Sequence, residues 1–367
     1  MMTIDGVLPD KEIRSLIDNH QVTLTGDLGT RQVQPASLDL TLGARAWRVR
    51  ASFLPSRSAG VLSRLDAGLK MHALDLTNGA VLERGCVYLV QLQESLDLPE
   101  DISASANPKS STGRIDVFVR TVVDGGDAFD VAPAGYKGPL FVEISPRSFS
   151  IIVRRGSSLN QLRFKKGRPQ LDDNALKDLQ NETPLIDADA DINDGIGVRI
   201  DLTGDKQAPI GWRARRHSGL IDVDKRGALD PEDYFEAIYA GKSKSIILDP
   251  DEFYILASKE RLLVPPTYAA EMTPINTGLG EFRVHYAGFF DPGFGWQKSG
   301  APPTSRGVLE VRSHDAPFVL DDGQLVARLV YEQMTTAPEA LYGADLSSNY
   351  QGQGLRLSKH FAEPNFS

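Results

Sequence analysis

The sequence predicts a mainly β protein, a barrel or a sandwich, built twice along one chain. Short runs rich in β-branched residues recur in the first half and are separated by Gly, Pro and Asp, among them CVYLVQL, IDVFVRTVV and FSIIV. Apolar and polar residues alternate in SLDLTL, as they do in a strand with one buried face. Many short strands with frequent turn residues are typical of barrels and sandwiches rather than of parallel α/β sheets. A long-range repeat indicates the doubling.

One amphipathic helix precedes the strands. Residues 10–19, DKEIRSLIDN, place Ile13, Leu16 and Ile17 at helical spacing behind an acidic first turn. Residues 166–189 are charged and poor in aromatic residues, which predicts a linker with one helical turn around 175–179.

Bulk composition excludes several classes of function. The chain has 367 residues, of which 41% are hydrophobic, and a formal net charge of −9. The length favours two domains, and the negative charge argues against a general nucleic-acid or membrane-surface binder. No apolar run reaches membrane-spanning length, and the start of the chain lacks the apolar core of a signal peptide. The single cysteine, Cys86, excludes an intrachain disulfide, so we expect a cytoplasmic protein.

Two segments 167 residues apart share a pattern. VEISPRSFSIIVRRGSSLNQLRF, from residue 142, aligns without a gap with LEVRSHDAPFVLDDGQLVARLVY, from residue 309. The alignment matches Glu143 with Glu310 and Gly156 with Gly323. PASLDLTLG at 35–43 has a weaker echo in GVRIDLTG at 197–204.

The matching order of these segments predicts an internal duplication. The predicted parts are an N-terminal domain over 1–165, a linker over 166–189, a C-terminal domain over 190–340 and a C-terminal tail over 341–367.

A polar stretch, ANPKSSTGR at 106–114, lies between two strand-like runs. Such a composition fits a solvated hairpin turn. It also fits a phosphate cradle, in which hydroxyls, backbone N–H groups and cations meet a polyanion. Lys109, Ser110, Ser111 and Arg114 are the candidate binding residues.

Four motifs in order carry a family resemblance: QPASLDLTLG, PKSSTGR, GYKGPLFVEI and NYQGQGLRLSKHF. They resemble the dCTP deaminases of the dUTPase-like superfamily, and the doubled length resembles the long bacterial members. The resemblance implies two tandem dUTPase-like distorted β-barrel (jelly-roll-like) domains with a few short helices. It further implies homo-oligomers with nucleotide sites between neighbouring barrels, hydrolysis of dCTP to dUTP and ammonia in thymidylate precursor synthesis, and no nucleic-acid or membrane partner.

Deamination at C4 of cytosine needs an activated water and two proton transfers. Zinc-dependent deaminases hold their metal with a His or Cys and a Cys-x-x-Cys pair, which Cys86, His285 and His314 do not supply. We therefore expect a zinc-free reaction, with Mg²⁺ only accompanying the triphosphate. The family uses a Glu on the strand after its base-binding hairpin, and Glu143 and Glu310 both match that place. The alternative for each is a glutamate that simply faces solvent.

The two halves retain different motifs. Only the N-terminal half keeps KSSTGR, since the matching stretch at 275–280 reads INTGLG. Only the C-terminal half keeps the family's Asp-Pro-Gly turn, in HYAGFFDPGFG at 285–295. We interpret the site as composite, with the cradle from an N-terminal barrel and Ala287, Asp291 and Glu310 from a C-terminal one. The alternative is one decayed barrel beside one that works alone, and the sequence leaves open which glutamate is catalytic and whether sites lie within or between chains.

The resemblance assigns roles to the cradle residues. Lys109 and Arg114 would neutralise the triphosphate, and the hydroxyls of Ser110 and Ser111 would fill the remaining acceptor sites. Ser110 and Arg114 would also approach the attacking water.

On the C-terminal side, Ala287 would offer backbone groups to the cytosine edge, and Asp291 would contact the 3′-hydroxyl or order the hairpin. Tyr342, Tyr350 and Gln353 have the spacing of the family's C-terminal lid, which folds over the nucleotide. A disordered terminus is the alternative for this tail, and little contribution to any core is expected from it.

Two other functions stay open. The superfamily shares the Ser-Ser cradle, so a dUTP diphosphatase or a bifunctional deaminase–diphosphatase is the first alternative. A non-catalytic nucleotide-binding barrel is the second.

Overall fold

The computed structural model describes residues 5–363 except 58, 205–207, 275–281, 286–287, 314 and 344–351, and only the backbone at 282–285. The described chain is mainly β, as predicted, with four short α-helices: α1 (Asp10–Asp18), α2 (Val61–Arg64), α3 (Ser110–Gly113) and α4 (Asp173–Glu182). A π turn (Leu65–Leu69) and a 3₁₀ turn (Pro231–Asp233) complete the helical elements. None of the described helices is long and apolar enough to cross a membrane.

The chain divides into two compact units. The first unit contains Met1–Pro169, Gly219–Arg226 and Met334–Glu339, and the second contains Gln170–Ser218, Gly227–Gln333 and Ala340–Ser367. Two short segments from late in the sequence therefore belong to the first unit.

The strands in the first half of the sequence all belong to the first unit: β1 (Gly6–Val7), β2 (Val22–Leu24), β3 (Val33–Gln34), β4 (Ser37–Leu40), β5 (Leu42–Val49), β6 (Lys70–Asp75), β7 (Ala80–Leu82), β8 (Val87–Asp97), β9 (Ile102–Pro108), β10 (Val117–Val123), β11 (Val131–Ala132), β12 (Lys137–Pro146), β13 (Ile151–Val153) and β14 (Asn160–Lys166). The later strands are β15 (Ile196–Arg199), β16 (Gly211–Ala214), β17 (Ile221–Asp222), β18 (Phe235–Ile238), β19 (Ser245–Leu248), β20 (Tyr254–Leu262), β21 (Tyr268–Pro274), β22 (Phe282–His285), β23 (Phe289–Phe290), β24 (Ser305–Ser313), β25 (Phe318–Asp321) and β26 (Leu325–Gln333).

Two six-stranded sheets form most of the first unit. One has the order β11-β9-β14-β4-β3 with β1 on β14, and the other has β10-β12-β8-β5-β6 with β2 on β8. A third, small sheet has the order β17-β13-β7. Helix α1 buries Ile13 and Leu16, two of the three predicted apolar positions, and Ile17 is half-buried, while the acidic first turn suits a helix N-terminus.

The second unit has a four-stranded sheet, β15-β26-β21-β23, a five-stranded sheet, β18-β16-β20-β24-β22, and the ribbon β19-β25. Within the described residues the sheets of both units are open ladders, so the distorted-barrel description stays a prediction.

The segment predicted as a linker is structured. Residues 173–182 form α4, whose N-cap Asp172 accepts hydrogen bonds from the backbone N–H groups of Asn174 and Ala175. Leu176 and Leu179 are buried in the core of the second unit. Charged residues therefore cover only the outer face of this helix, which is why composition alone suggested a linker.

Strand registers support the stronger sequence alignment. Glu143 lies opposite Leu89 on β8, and Glu310 lies opposite Ile255 on β20. On the other side, Glu143 lies opposite Arg120, and Glu310 opposite the backbone of His285. The two glutamates therefore hold matching places in two similar ladders.

The weaker echo is out of register. Asp39 lies opposite Gln161, and the repeat aligns Gln161 with Arg328. Because Arg328 lies opposite Gly197, Gly197 is the counterpart of Asp39 by register. The shared DLT letters pair Asp39 with Asp201 instead, four residues further along. The structure therefore corrects that alignment, because a short apolar–polar pattern recurs in strands irrespective of their place in a sheet.

Candidate active site

The stretch KSSTGR forms a buried helical turn at the end of β9, not a solvated hairpin. Lys109 precedes α3, and its carbonyl accepts hydrogen bonds from the N–H groups of Thr112 (2.8 Å) and Gly113 (3.0 Å). Ser111 and Arg114 are buried, with Arg114 only 3% exposed, whereas Ser110 is half-buried. An arginine is seldom buried this deeply without a binding or structural role.

Lys109 is already ion-paired. Its Nζ contacts a carboxylate oxygen of Asp39 on β4 and lies 3.4 Å from the Ser158 hydroxyl. The sheet brings Asp39 here because β14 pairs with both β4 and β9, with Gln161 opposite Asp39 on one side and Asn107 on the other. The sequence analysis did not single out Asp39, since its partner lies 70 positions away.

A buried glutamate fixes the strand that carries Asp39. Gln32 Nε2 donates to Glu94 Oε1 (2.8 Å) and to the carbonyl of Asp39 (3.0 Å). The backbone N–H of Thr41 donates to Glu94 Oε2 at 3.0 Å, and the Thr41 hydroxyl donates to Oε1 at 2.6 Å. Glu94 is 1% exposed, and burial raises the pKa of its carboxyl. The motif QPASLDLTLG contains Asp39 and Thr41, but nothing in the sequence pointed to Glu94 as part of the same network.

Glu143 is held by an arginine. Arg120 donates to Glu143 Oε1 from Nη2 (2.6 Å) and from Nε (3.2 Å). The same guanidinium lies 3.9 Å from the centre of the Phe129 ring and donates to the Ser52 hydroxyl at 2.9 Å. The Glu143 carboxylate therefore has a fixed cationic partner, which sequence reasoning missed because Arg120 lies on the adjacent strand.

Glu310 is buried within an apolar strand. It is 5% exposed and lies between Leu309 and Val311, which are both fully buried. Glu143 is 4% exposed. Neither glutamate faces solvent, so the alternative interpretation of both as ordinary outward-facing strand residues is wrong.

The turn that contains Asp291 packs against Tyr342. The N–H of Phe294 donates to the Asp291 carbonyl at 3.1 Å, and the N–H of Tyr342 donates to the Pro292 carbonyl at 3.0 Å. The Tyr342 and Phe294 rings lie 5.9 Å apart. Gly295 has φ +65°, and a Cβ there would lie 2.1 Å from the Leu262 carbonyl oxygen, so only glycine fits.

The end of the tail is docked on the second unit. Gln353 exchanges backbone and side-chain hydrogen bonds with Arg306, at 2.9 and 3.0 Å, on the strand that carries Glu310. Leu357 and Phe361 are buried, and the Phe361 ring lies 5.3 Å from that of Tyr234. The expectation that the tail contributes little to any core is therefore wrong for its last part.

Several predicted residues lie outside the described part of the chain: Ala287, His314, Tyr350 and the stretch 275–280. Among the described residues, no three His, Cys, Asp or Glu side chains are grouped as metal ligands would be. Magnesium and the zinc-free chemistry stay predictions.

Family models match both halves of the chain. The model described as the N-terminal domain of 2'-deoxycytidine 5'-triphosphate deaminase (DCD) matches residues 4–168, and that of the C-terminal domain matches residues 172–361. The chain belongs to the 2'-deoxycytidine 5'-triphosphate deaminase family. The predicted family resemblance is thereby confirmed.

A solved structure supports this membership. The crystal structure of 2'-deoxycytidine 5'-triphosphate deaminase from Agrobacterium tumefaciens is 51% identical, with a TM-score of 0.86, over 91% of this chain and 99% of that one.

Curated relatives in the family are more distant. The dCTP deaminase of Natronomonas pharaonis is 29% identical over 33% of this chain and 60% of its own length. A protein of Beutenbergia cavernae named "dCTP deaminase, dUMP-forming" is 28% identical over 46% of this chain and 91% of its own length. The chain spans about 60% of the length of the first of these relatives.

Proposed function

We propose that this protein hydrolyses dCTP to dUTP and ammonia, with Glu310 as the proton carrier. We choose Glu310 over Glu143 because Glu143 forms an ion pair with Arg120. A general base must present a lone pair to water and then release the proton it takes. Two charge-assisted hydrogen bonds from Arg120 occupy one oxygen of Glu143, which leaves fewer lone pairs to accept a proton from water and makes it a poor carrier.

Glu310 has the surroundings that this task requires. It is only 5% exposed, so a water that reached this carboxyl would be held apart from bulk solvent, as general acid–base catalysis requires. Gln353 of the tail hydrogen-bonds to Arg306, four residues before Glu310 on β24, so the proposed lid is anchored on the strand that carries this carboxyl.

The first unit supplies the phosphate-binding residues in this proposal. Ser110 and Ser111 offer hydroxyls, and Arg114 offers a guanidinium whose fork matches phosphate oxygens. Lys109 has a different role from the one that the sequence suggested, which was to neutralise the triphosphate. Its charge is balanced by Asp39, so it orders the turn more than it neutralises the triphosphate.

Four further features belong to the proposal. The matching registers of Glu143 and Glu310 support a tandem duplication of dUTPase-like barrels. Mg²⁺ would accompany the triphosphate, since phosphate oxygens and water are its preferred ligands. We also propose a homo-oligomer and a site to which each half contributes residues.

A second candidate is a bifunctional enzyme that also removes pyrophosphate. The names of the relatives favour it, since that of Methanobrevibacter smithii, 30% identical over 59% of its length, is also called "dCTP deaminase, dUMP-forming". The shared cradle suits either chemistry.

One assay tests both candidates. Purified protein with Mg²⁺ is given dCTP or, in a separate reaction, dUTP, while ammonia and pyrophosphate are followed in parallel and the nucleotide products are separated. Ammonia with dUTP supports the deaminase, and ammonia with dUMP and pyrophosphate supports the bifunctional enzyme. Pyrophosphate from dUTP without ammonia from dCTP would assign a diphosphatase instead.

A further inference from the structure

The two units differ at one strand edge. In the first unit, β13 pairs with β7, and Ile152 lies opposite Val81. In the second unit, β25 pairs with β19, and Val319 lies opposite Ile247. Val319 is the aligned counterpart of Ile152 in the gapless repeat, so β13 and β25 hold matching places.

The edge of β13 is covered by a segment from later in the sequence. β17 adds to it in parallel, with Ile221 and Val223 donating backbone hydrogen bonds to the carbonyls of Ser150 (3.1 Å) and Ile152 (3.2 Å). Adding a strand to a sheet edge lets backbone bonds supply affinity while side chains supply specificity.

The matching edge in the second unit has no such cover among the described residues, where β25 pairs only with β19. Ile247 is 60% exposed and Val319 is 54% exposed, directly opposite each other. An open strand edge beside exposed apolar side chains tends to pair with another chain.

The charge at the two edges is reversed. Arg154, just after β13, donates to both carboxylate oxygens of Asp222 in the added strand, at 2.7 and 2.9 Å, and to Asp224 at 3.1 Å. The aligned counterpart of Arg154 is Asp321, which is exposed. A basic edge holds an acidic segment in the first unit, so the acidic edge of the second unit fits a basic segment.

Strand registers identify the corresponding segment. Trp47 on β5 lies opposite Leu89, and Trp212 on β16 lies opposite Ile255. Leu89 and Ile255 lie opposite the matching glutamates on the adjacent strand, so the strands that pair with them on the other side, β5 and β16, correspond to each other. The next strands outward, β6 and β18, correspond in the same way. β17 lies in the loop between β16 and β18, so its counterpart is the β5–β6 loop, the connection over residues 50–69, of which 61–69 form α2 and the π turn.

That loop has the required charge. It carries Arg50, Arg57 and Arg64 and no acidic residue before Asp66. Arg57 has an 83% exposed side chain, and its partner Asp127 is 66% exposed. An ion pair this exposed contributes little, so Arg57 can exchange Asp127 for another carboxylate at small cost.

We propose that the β25 edge of one copy of this chain binds the β5–β6 loop of a second copy, with Arg57 facing Asp321. Ile247 and Val319 form the apolar floor of this contact. The proposal is independent of the chemistry assigned above, and its test reads association alone.

Charge exchange on the full-length protein tests it. Arg57→Glu and Asp321→Lys are studied singly and as an equimolar mixture, by sedimentation velocity over a range of concentrations. Each variant alone should associate at least about tenfold more weakly than the wild type, because each brings like charges together. The mixture should recover wild-type association, since the introduced glutamate then meets the introduced lysine and the remaining contact has its natural pair. Asp178→Lys, an exposed charge change on α4, is the control that should leave association unchanged.

Three outcomes would overturn the proposal: a wild type that is monomeric at every concentration, single variants that associate as the wild type does, or a mixture no better than its components. Both positions are exposed, so circular dichroism and thermal unfolding should match the wild type. A variant that fails this check is replaced by Arg57→Gln or Asp321→Asn, which remove the attraction without adding a charge.

Discussion

Arg120 holds Glu143 through two hydrogen bonds, at 2.6 and 3.2 Å, whereas the residue opposite the matching Glu310 is His285. Two glutamates at one place in the ladder therefore have cross-strand neighbours of different chemistry. An arginine keeps a fixed positive charge beside its partner carboxylate. The contrast makes the two carboxylates separable by experiment.

Glu310→Gln should reduce the rate of ammonia release from dCTP by about 100-fold or more, because the amide cannot carry a proton. Glu143→Gln should reduce it by less than about tenfold, since its partner is a fixed cation and its loss affects local order alone. Steady-state kcat and KM for both variants give the comparison.

Glu260→Gln is the matched control for these variants. Glu260 is also a buried strand glutamate of the second unit, and it accepts a hydrogen bond from the N–H of Arg199. A loss in Glu143→Gln as severe as that in Glu310→Gln, with Glu260→Gln near normal, would contradict the division of roles.

Ser110→Ala and Arg114→Ala should each give folded protein with deamination reduced by at least about tenfold, since both groups are proposed to contact phosphate or the attacking water. Ser103→Ala, a hydroxyl change at the opposite end of β9, should have near-normal kinetics. Activity retained in Ser110→Ala would show that the buried turn is structural.

Mixing Ser110→Ala protein with Glu310→Gln protein under confirmed subunit exchange tests whether two chains share a site. Recovered activity would require a site built from both chains, and no recovery would place the site within one chain.

Lys109→Met should lower the free energy of unfolding by about 2 kcal/mol, because it leaves the mostly buried Asp39 carboxylate without its cation. Adding Asp39→Asn should recover part of that loss. Urea unfolding of the two single variants and the double variant measures the coupling, and additive losses would show that the pair contributes nothing.

Glu94→Gln should change how stability depends on pH. Burial raises the pKa of the Glu94 carboxyl above its unfolded value, so the folded state favours the protonated form. The stabilisation this provides is complete below the unfolded pKa and is lost as pH rises through the folded pKa. Chemical unfolding between about pH 4 and pH 7 should therefore show the stability of the wild type falling relative to that of Glu94→Gln as pH rises. Identical pH slopes would contradict a raised pKa.

Phe361→Ala should destabilise the protein by about 3 kcal/mol, because a buried ring packed against Tyr234 and Phe235 leaves a cavity. Glu363→Ala, an exposed change two residues on, should be within about 0.5 kcal/mol of the wild type. Thermal unfolding decides between a docked tail and a dispensable one, and a neutral Phe361→Ala would indicate the latter.

Sequence reasoning succeeded where information was local or repeated. Helix α1 followed from the spacing of Ile13 and Leu16, and the place of Glu310 followed from a gapless repeat. Sequence reasoning failed where strand pairing brings together residues that are far apart in the sequence. Arg120, Asp39 and Glu94 became visible only through cross-strand registers, which depend on pairings that composition does not encode.

The tail shows a different limit. Its Gly- and Ser-rich composition is typical of an unstructured terminus, yet a few apolar residues at its end, Leu357 and Phe361, are buried against the second unit. Packing of two such side chains outweighs the low propensity of the polar residues before them.

The placement of residues 219–226 and 334–339 in the first unit has a consequence for synthesis. When a ribosome has synthesised residues 1–169, it has not yet made β17, which pairs with the edge of β13, or the segment Met334–Glu339. The first unit can acquire all its parts only when translation is nearly over, so the usual order in which an N-terminal domain finishes before the next begins does not hold here. A gene cut at residue 169 would accordingly encode a fragment with an open strand edge, and the two halves should be co-expressed, never produced apart.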